Sequence, residues 1–437
     1  MDITTPSLRT ACADLNGQMR GKRLPARHAG KIEFEGQRLP LSALALDIWG
    51  SDIDDSPLVF SSGDSDGQLR CTDRGPVPMP WLDQPATLLP MWMFTETGQG
   101  FAADPRHALA RVLDRYARRG WKVVAATELE FTLVDDRGPA LDHAINPQNG
   151  KPLGAGEVVG INALDIFAPF FDDLYAGAEA MGISAQAAIS ESGIGQFEVN
   201  LDHGPAMRIA DDTWLFKALV KGMARKHGLA ATFMAKPFEG DSGNGLHVHF
   251  SIIDDTRRNL FDNGVMTGSG VMLNAVAGCV AGIAGATLIN APFENSYARI
   301  ASGSHAPIGA CWGYENRTTA IRIPGGDPGS RRIEHRVAGG DTNPYLVLAA
   351  ILGAAMMGIE DELTPPEPII GNAYGQRILQ FPTDWNAAIE RFSVSPRMAR
   401  IFPPLLIDML ARIKRQEQRK LATLAPTEQI LSLFEAV

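Results

Sequence analysis

The sequence predicts a two-domain protein that mixes helices and strands, with a small β-rich domain followed by a larger α/β domain. Its 437 residues are enough to bury more than one core. Before about residue 105, short apolar runs such as LSALALDIW alternate with turn-rich acidic stretches such as SDIDDSP. Beyond that point, strand-like and helix-like segments alternate. We therefore expect domains at residues 1–103 and 104–437.

A helix start marks the boundary between these domains. In ADPRHALARVLDRYARRG, Asp104 is placed to cap a helix, Pro105 occupies the first helical position, and Gly120 follows the last apolar residue. The apolar residues between them recur at helical spacing. The sequence therefore predicts that the second domain opens on a helix.

The second domain is predicted to contain more strands than helices, and several strands carry charges on one face. The predicted strands are 122–134, 183–189, 195–201, 229–235, 245–253, 318–323 and 331–337. The predicted helices are 167–181, 207–227, 269–290, 343–359 and 403–422. Residues 270–293 are long and uncharged enough to span a membrane, but they are mainly Ala and Gly with an Asn near each end, which favours a buried helix.

Composition excludes several classes of protein. The net charge of −10, without a basic stripe, argues against nucleic-acid binding. Four scattered cysteines without a CxxC pair indicate neither a disulfide framework nor a zinc site. The polar first thirty residues do not resemble a secretory signal, so we expect a soluble cytoplasmic protein.

Charged residues inside apolar strands are the first functional signal. Glu128 and Glu130 are two residues apart, so a strand would present both carboxylates on one face. Taken alone, this pair also suits a solvated strand face. The pattern recurs, however, at Glu191, Glu198, His247, His249 and Glu334. Carboxylates with a single imidazole are typical ligands of Mg²⁺ or Mn²⁺, and several such ions would clamp a polyphosphate, which indicates a nucleotide substrate.

The arginines support an anionic substrate. Six arginines and no lysine lie between Arg299 and Arg336. Guanidinium groups bind phosphate and carboxylate in a bidentate manner. A surface salt bridge is a sufficient explanation for any single one of these arginines, but it is a poor explanation for all six.

The motifs resemble those of the glutamine synthetase superfamily in order and spacing. They are TELEF, ESGIGQFEVNL, KPFEGDSGNGLHVHFS, NSYARI, ENRTTAIRIP and RRIEHR followed by NPYL. The resemblance covers residues 105–360 well and the N-terminal part weakly. It implies an α+β fold, with an N-terminal β-grasp domain and a catalytic domain whose curved antiparallel sheet forms a half-barrel backed by helices. It also implies hexameric rings stacked as dodecamers, with active sites between subunits.

The resemblance also implies roles for individual residues. One metal site would be Glu130, Glu191 and Glu198, and the other Glu128, His247 and Glu334, together holding two or three Mg²⁺ or Mn²⁺ ions. His249, Ser251, Arg322 and Arg332 would contact the nucleotide, Arg317 would face the transferred phosphate, and Gly243, Arg299 and Arg336 would hold glutamate. In the implied reaction the glutamate γ-carboxylate attacks ATP, and an amine then displaces phosphate from γ-glutamyl phosphate.

The chain departs from ammonia-using members of the superfamily at the amine pocket. Those enzymes use a Glu in the loop after NSY-x-R, a nearby Tyr, and an Asp from the neighbouring N-terminal domain. Here the Glu position is His305, the segment GAGEVVGINALD has no Tyr, and Asp47 is the candidate for the Asp. A histidine can accept a proton but supplies no permanent negative charge for ammonium.

These differences favour a γ-glutamyl ligase for polyamines such as putrescine, with the acidic residues of SDIDD as candidates for binding a distal ammonium. Ordinary glutamine synthesis from ammonia and ligation of an alkyl or aromatic monoamine remain alternatives. A non-enzymatic ring protein is disfavoured because all six metal positions are filled. Comparing ammonium, putrescine and alkyl or aromatic monoamines as acceptors distinguishes these alternatives.

Overall fold

The computed structural model describes residues 3–265, 267–301 and 306–437. Its first sheet has six strands: β1 (Ser7–Ala13), β2 (Met19–Pro25), β3 (Gln37–Pro40), β4 (Asp66–Cys71), β5 (Val77–Pro78) and β6 (Ala86–Phe94). The order is β2-β1-β6-β4-β3, with β5 also pairing with β6. The β1/β6 pair is parallel and the other pairs are antiparallel. Helix α1 (Ala29–Glu35) lies beside β4. The predicted β-grasp domain is consistent with this arrangement.

The predicted boundary helix is present as α2 (Pro105–Ala117). The Asp104 carboxylate accepts hydrogen bonds from the backbone N–H groups of Arg106, at 2.7 Å, and His107, at 3.1 Å. These bonds satisfy two of the N–H groups that a helix start leaves without partners. We propose domains at residues 1–103 and 104–437.

The first sheet packs onto the rest of the chain through buried polar contacts. Trp214 Nε1 donates to the carbonyl oxygen of Gly17 at 2.8 Å. Arg74 Nε lies 2.7 Å from Asp212 Oδ1, and both side chains are buried. Because an unpaired buried charge is costly, these contacts fix how the two parts meet.

Within the described residues, the second sheet has nine strands and is mostly antiparallel. They are β7 (Lys122–Asp135), β8 (Asp142–His143), β9 (Ala185–Ser190), β10 (Gln196–Pro205), β11 (Ala230–Thr232), β12 (Leu246–Ile253), and, after a two-residue β13 (Gly309–Ala310) outside this sheet, β14 (Trp312–Tyr314), β15 (Ile321–Ile323) and β16 (Ile333–His335). The order is β14-β15-β16-β12-β7-β10-β9, with β8 and β11 paired to β7. The predicted α+β fold is confirmed.

All seven predicted strands of this domain are found, but three are shorter than predicted. The segment 318–323 retains only β15, because Asn316 closes a turn by accepting from Thr318 N at 3.0 Å. The segment 229–235 retains only β11, and 331–337 only β16. Strand β14, which runs parallel to β15, was not predicted. A final short strand, β17 (Leu379–Gln380), pairs with β13.

The helices back the second sheet and include the five that the sequence predicts in this domain. These five are α4 (Ala168–Ala180), α5 (Ala206–Lys226), α6 (Gly270–Asn290), α8 (Pro344–Glu360) and α11 (Pro404–Leu421). The helices not predicted are α3 (Ile161–Asp165), α7 (Glu294–Arg299), α9 (Trp385–Ser393) and α10 (Pro396–Ile401). A last helix, α12 (Pro426–Ala436), follows α11.

Helix α6 is long and apolar enough to cross a membrane, but 72% of its most apolar stretch is buried against the rest of the chain. It packs closely on α8: a Cβ on Gly278 would lie 2.1 Å from the carbonyl oxygen of Ala354. Only a glycine permits this approach of two backbones. The prediction that small residues allow α6 to pack as a buried helix is therefore confirmed.

Candidate active site

The register of the second sheet brings the predicted metal ligands together. Across β7 and β12, Glu128 lies opposite His247, and across β7 and β10, Glu130 lies opposite Glu198. Across β12 and β16, His249 lies opposite Glu334. Directly opposed residues in an antiparallel pair project to the same face, so these side chains converge. Leu129 and Phe131 alternate with the two glutamates of β7 and are fully buried on the other face.

Two groups of ligand atoms form within this face, each with atoms no more than 4.8 Å apart. One is Glu128, His247 and Glu334, the set that the sequence analysis assigned to one metal site. The other is Glu130, Glu198 and His247, so His247 belongs to both groups. Glu191 was predicted in this second group but lies outside it. Its backbone N–H donates to Gln196 O at 2.9 Å in the turn before β10.

Glu128 binds both histidines of β12. His247 Nδ1 lies 3.0 Å from its Oε2, and His249 Nε2 lies 2.9 Å from its Oε1. Burial favours the neutral carboxyl, but the two imidazoles hold the pKa of Glu128 well below its usual range. Glu128 therefore remains an anion at the centre of the site.

The neighbouring carboxylates titrate in the opposite direction. Burial, followed by the charges of Glu128 and Glu130, raises the pKa of Glu198 to about 9. Burial and the same two charges raise the pKa of Glu191 to about 7. Carboxylates that resist ionising together, beside an imidazole, match the donor set of a hard divalent cation, which would offset the repulsion between the carboxylates.

Arginines surround the fully buried carboxylate of Glu334. Arg322 Nη1 lies 2.7 Å from its Oε2, and Arg336 is hydrogen-bonded to its Oε1. Burial opposes ionisation of Glu334, but Arg336 and the two histidines of β12 lower its pKa below the usual value. Arg322 and Arg336 thus lie directly against one ligand group.

A cavity of about 840 Å³ opens beside this cluster, large enough for a nucleotide. The predicted nucleotide residues His249, Ser251 and Arg332 line it, and Arg332 Nε lies 3.3 Å from His249 Nδ1. Arg322 is not part of the lining and faces Glu334 instead. Because Glu128 also lines the cavity, a bound polyphosphate would reach the metal-binding side chains.

The predicted glutamate residues are not among those that line the cavity. Arg299 and Arg336 are 5% and 4% exposed. A Cβ on Gly245 would lie 2.6 Å from Arg299 Nη2, and one on Gly243 would lie 2.1 Å from the carbonyl oxygen of Ala235. A side chain at Gly245 would therefore occupy the space around the guanidinium group, and one at Gly243 would clash with the backbone of Ala235.

The remaining residues with predicted roles are Arg317, His305 and Asp47. Arg317 is exposed and close enough to Glu191 to lower its pKa. His305 lies outside the described residues. Asp47 is 0% exposed, and its carboxylate accepts hydrogen bonds from Trp49 N, Ser51 N, Gln416 Nε2 and Lys420 Nζ. This carboxylate is enclosed within its own chain and offers no open face to an amine, and its role at the acceptor pocket stays a prediction.

Several residues of the site were not predicted as functional. Gln196 Nε2 donates to Glu130 Oε2 at 3.2 Å, and Gly245 N donates to the same oxygen at 2.7 Å. Arg257 and Arg258 line the cavity from the turn after β12. Gln196 and Gly245 belong to the quoted motifs, which is the signal that could have identified them, whereas the two arginines have no such signal.

Comparison with known proteins places this geometry in a family. Residues 102–431 match the model of the glutamine synthetase catalytic domain. The chain is similar to gamma-glutamylputrescine synthetase PuuA of Escherichia coli (strain K12), with 35% identity over 398 residues, 89% of this chain and 83% of that protein. It is also similar to a glutamate–isopropylamine ligase of a Pseudomonas species, with 32% identity over 427 residues, 93% of this chain and 90% of that protein.

A solved structure has the same fold over nearly the whole chain. It is described as apo GmaS without ligand, and it superimposes with a TM-score of 0.84 at 27% sequence identity. The match covers 97% of this chain and 96% of that one. The similarity therefore includes the first sheet as well as the second.

Proposed function

This chain belongs to the glutamine synthetase family of ATP-dependent ligases, and we propose that it joins the γ-carboxylate of glutamate to a polyamine, with putrescine as the preferred acceptor. The observation that carries the glutamate and ATP part is the carboxylate–imidazole cluster, which adjoins both a nucleotide-sized cavity and two buried arginines. The 35% identity to a gamma-glutamylputrescine synthetase over 89% of the chain supports the polyamine part.

The residues around the cluster have distinct roles in the proposed reaction. Arg299 and Arg336 hold glutamate with its γ-carboxylate beside the cluster, while His249, Ser251 and Arg332 line the nucleotide cavity. Mg²⁺ or Mn²⁺, held by the two ligand groups, would neutralise charge on the phosphoryl oxygens. The γ-carboxylate attacks the γ-phosphate of ATP and releases ADP. The amine then attacks the acyl carbon of γ-glutamyl phosphate, and inorganic phosphate leaves.

The arginines stabilise the phosphoryl group during transfer. Arg322 is held by Glu334 and Arg317 lies near Glu191, so both guanidinium groups lie at the cluster. Phosphoryl transfer depends on positioning and charge compensation more than on covalent help from the protein.

Several features of the amine side favour an acceptor other than ammonia. At position 305, where ammonia-using members carry Glu, this chain has His. With Asp47 enclosed, its loop instead exposes Trp49, which is 39% exposed, and Asp52. Lys420 Nζ already lies 5.4 Å from the centre of the Trp49 ring, so we propose that the exposed part of the indole offers an organic acceptor apolar contact.

The other acidic residues of SDIDD are already partnered within the chain. Asp55 is hydrogen-bonded to Arg412, and Asp54 Oδ2 lies 3.7 Å from Arg419. These contacts weaken the hypothesis that Asp54 and Asp55 bind a distal ammonium. Among the acidic residues of this segment, we therefore propose Asp52 for that role. In the proposed ring, an active site would receive Trp49 and Asp52 from a neighbouring subunit, and we propose the cytoplasm as its location.

The test is phosphate release from ATP and glutamate with a panel of amines at one pH. We expect the highest kcat/KM with putrescine, a lower value with ammonium, and none without glutamate. Ammonium as the best acceptor would indicate glutamine synthesis, and isopropylamine or aniline would indicate a monoamine ligase. Absence of phosphate release with every amine would contradict the enzyme assignment.

Replacing His305 with Glu tests the role of that position. A fixed negative charge binds ammonium better than an imidazole does, so we expect the ratio of kcat/KM for ammonium over putrescine to rise about tenfold. The control is His28→Glu, the same change of residue type in the first domain, which should leave the ratio unchanged. An unaltered ratio in His305→Glu would remove His305 from acceptor selection.

A further inference from the structure

Asp341 is a buried carboxylate that the proposed mechanism does not use. It lies in the loop between β16 and α8 and is 2% exposed. Its Oδ2 accepts a hydrogen bond from Ser296 Oγ at 2.5 Å, and Ser296 is equally buried. A hydrogen bond between two buried groups, one of them charged, is among the stronger polar contacts in a protein.

Ser296 lies on the helix that carries Arg299. This helix, α7, has six residues, too few for a helix to be stable without tertiary contacts. Asn295 anchors it by exchanging two hydrogen bonds with the backbone of Lys236, at 2.9 and 2.8 Å. Ser296 anchors it to Asp341 and also accepts from Phe293 N at 3.1 Å. Because Ser296 and Arg299 are three residues apart, the bond to Asp341 fixes the turn on which Arg299 ends the helix.

The guanidinium group of Arg299 points at the metal-binding cluster. Its Nη1 donates to Val337 O at 2.9 Å, and its Nη2 lies beside Gly245, whose N–H donates to Glu130. Burial disfavours the charged form of Arg299 and lowers its pKa, while Glu130 and Asp341 act in the opposite direction. Asp341 therefore supports Arg299 both through α7 and through its charge.

The geometry assigns Asp341 as a positioning residue for the substrate glutamate, acting through Ser296 and Arg299. This inference rests on the proposed function, in which Arg299 binds glutamate. It differs from a general structural role, since the effect should be confined to one substrate. The shape of the loop agrees with it: a Cβ on Gly339 would lie 2.4 Å from Asp341 Oδ1, so Gly339 leaves room for the carboxylate.

The test compares two variants that remove this contact with one that removes another buried carboxylate. Asp341→Asn keeps the shape of the side chain and removes the charge, and Ser296→Ala removes the bridging hydroxyl. Asp211→Asn is the control, because Asp211 is 1% exposed and pairs with Arg106 at 2.9 Å away from the site. The measurements are KM for glutamate and for ATP, kcat, Tm, and the rise in Tm on adding glutamate.

We expect Asp341→Asn to raise KM for glutamate about tenfold, Ser296→Ala to raise it by a smaller factor, and both to leave KM for ATP within about twofold. Asp211→Asn should lower Tm without changing the ratio of the two KM values. Equal changes in both KM values, or a lower Tm alone, in Asp341→Asn and Ser296→Ala would overturn the inference.

The outcome is separable from that of the proposed function. If the wild-type protein couples glutamate to ATP cleavage and Arg299→Ala raises KM for glutamate while Asp341→Asn and Ser296→Ala do not, only the role of Asp341 fails. If the wild-type protein shows no glutamate-dependent phosphate release and no rise in Tm with glutamate, the proposed function fails first, and the role of Asp341 falls with it.

Discussion

Replacing Glu128 with Gln is expected to lower kcat/KM for glutamate-dependent phosphate release by about 1,000-fold, because metal-derived charge stabilisation is worth several kcal/mol and each 1.36 kcal/mol is a factor of ten. Glu128 accepts from both His247 and His249 and shares a ligand group with Glu334. The amide keeps the size of the side chain but carries no charge. Phosphate release with glutamate and putrescine, together with Mn²⁺ binding by calorimetry, measures both parts of the expectation.

A matched control separates this effect from a general loss of charge. Glu360 lies on α8 away from the cluster and pairs with Arg115 at 2.6 Å, so Glu360→Gln should retain activity and Mn²⁺ binding. Both proteins should unfold at similar temperatures, because Leu129 and Phe131 on the buried face of β7 are untouched. Retention of more than a tenth of the wild-type activity and of Mn²⁺ binding in Glu128→Gln would contradict a ligand role.

The charged face of the site could be predicted because strand periodicity is local. Glu128 and Glu130 lie two residues apart, as do His247 and His249, and the sheet places both pairs on one face. The pairing of β7 with β12 and β10 is not local, and here the sequence motifs supplied what spacing could not. The second ligand group contains His247 where Glu191 was predicted. The position of Glu191 depends on the turn before β10, which residue spacing does not specify.

Asp47 shows why other parts of the site could not be predicted. Asp47, in the stretch LALDIWGSD, is a candidate only through the resemblance to family members that supply an Asp from the N-terminal domain. The side chain instead turns inward, because Gln416 and Lys420 of α11 supply hydrogen-bond donors. These partners lie far along the chain, so only the tertiary structure decides which way Asp47 faces. It closes the turn whose tip exposes Trp49 and Asp52.

The second large expected effect concerns the contact between the loop that contains Asp47 and α11. Glu417 is 0% exposed and accepts hydrogen bonds from Lys414 Nζ at 2.9 Å, Asn16 Nδ2 at 2.8 Å and Ile48 N at 3.0 Å. Glu417→Ala would leave Lys414 as a buried charge without its carboxylate partner. Breaking a buried ion pair in this way costs about 3–5 kcal/mol. We expect that decrease in the free energy of unfolding, measured by urea denaturation.

The double variant Lys414→Met, Glu417→Leu distinguishes loss of the pair from loss of volume. Replacing both charges with apolar side chains of similar size is often neutral or stabilising, so the double variant should regain much of the stability that Glu417→Ala loses. Glu35→Ala, in an exposed pair with Lys31, is the control and should leave the urea midpoint unchanged. If Glu417→Ala unfolds at the wild-type urea concentration, the buried pair does not hold the first sheet to α11. If the buried pair does hold the first sheet to α11, Glu417→Ala should also loosen the turn that carries Trp49. KM for putrescine should then rise more than KM for ATP, because the proposed acceptor contacts lie on that turn and the nucleotide cavity does not.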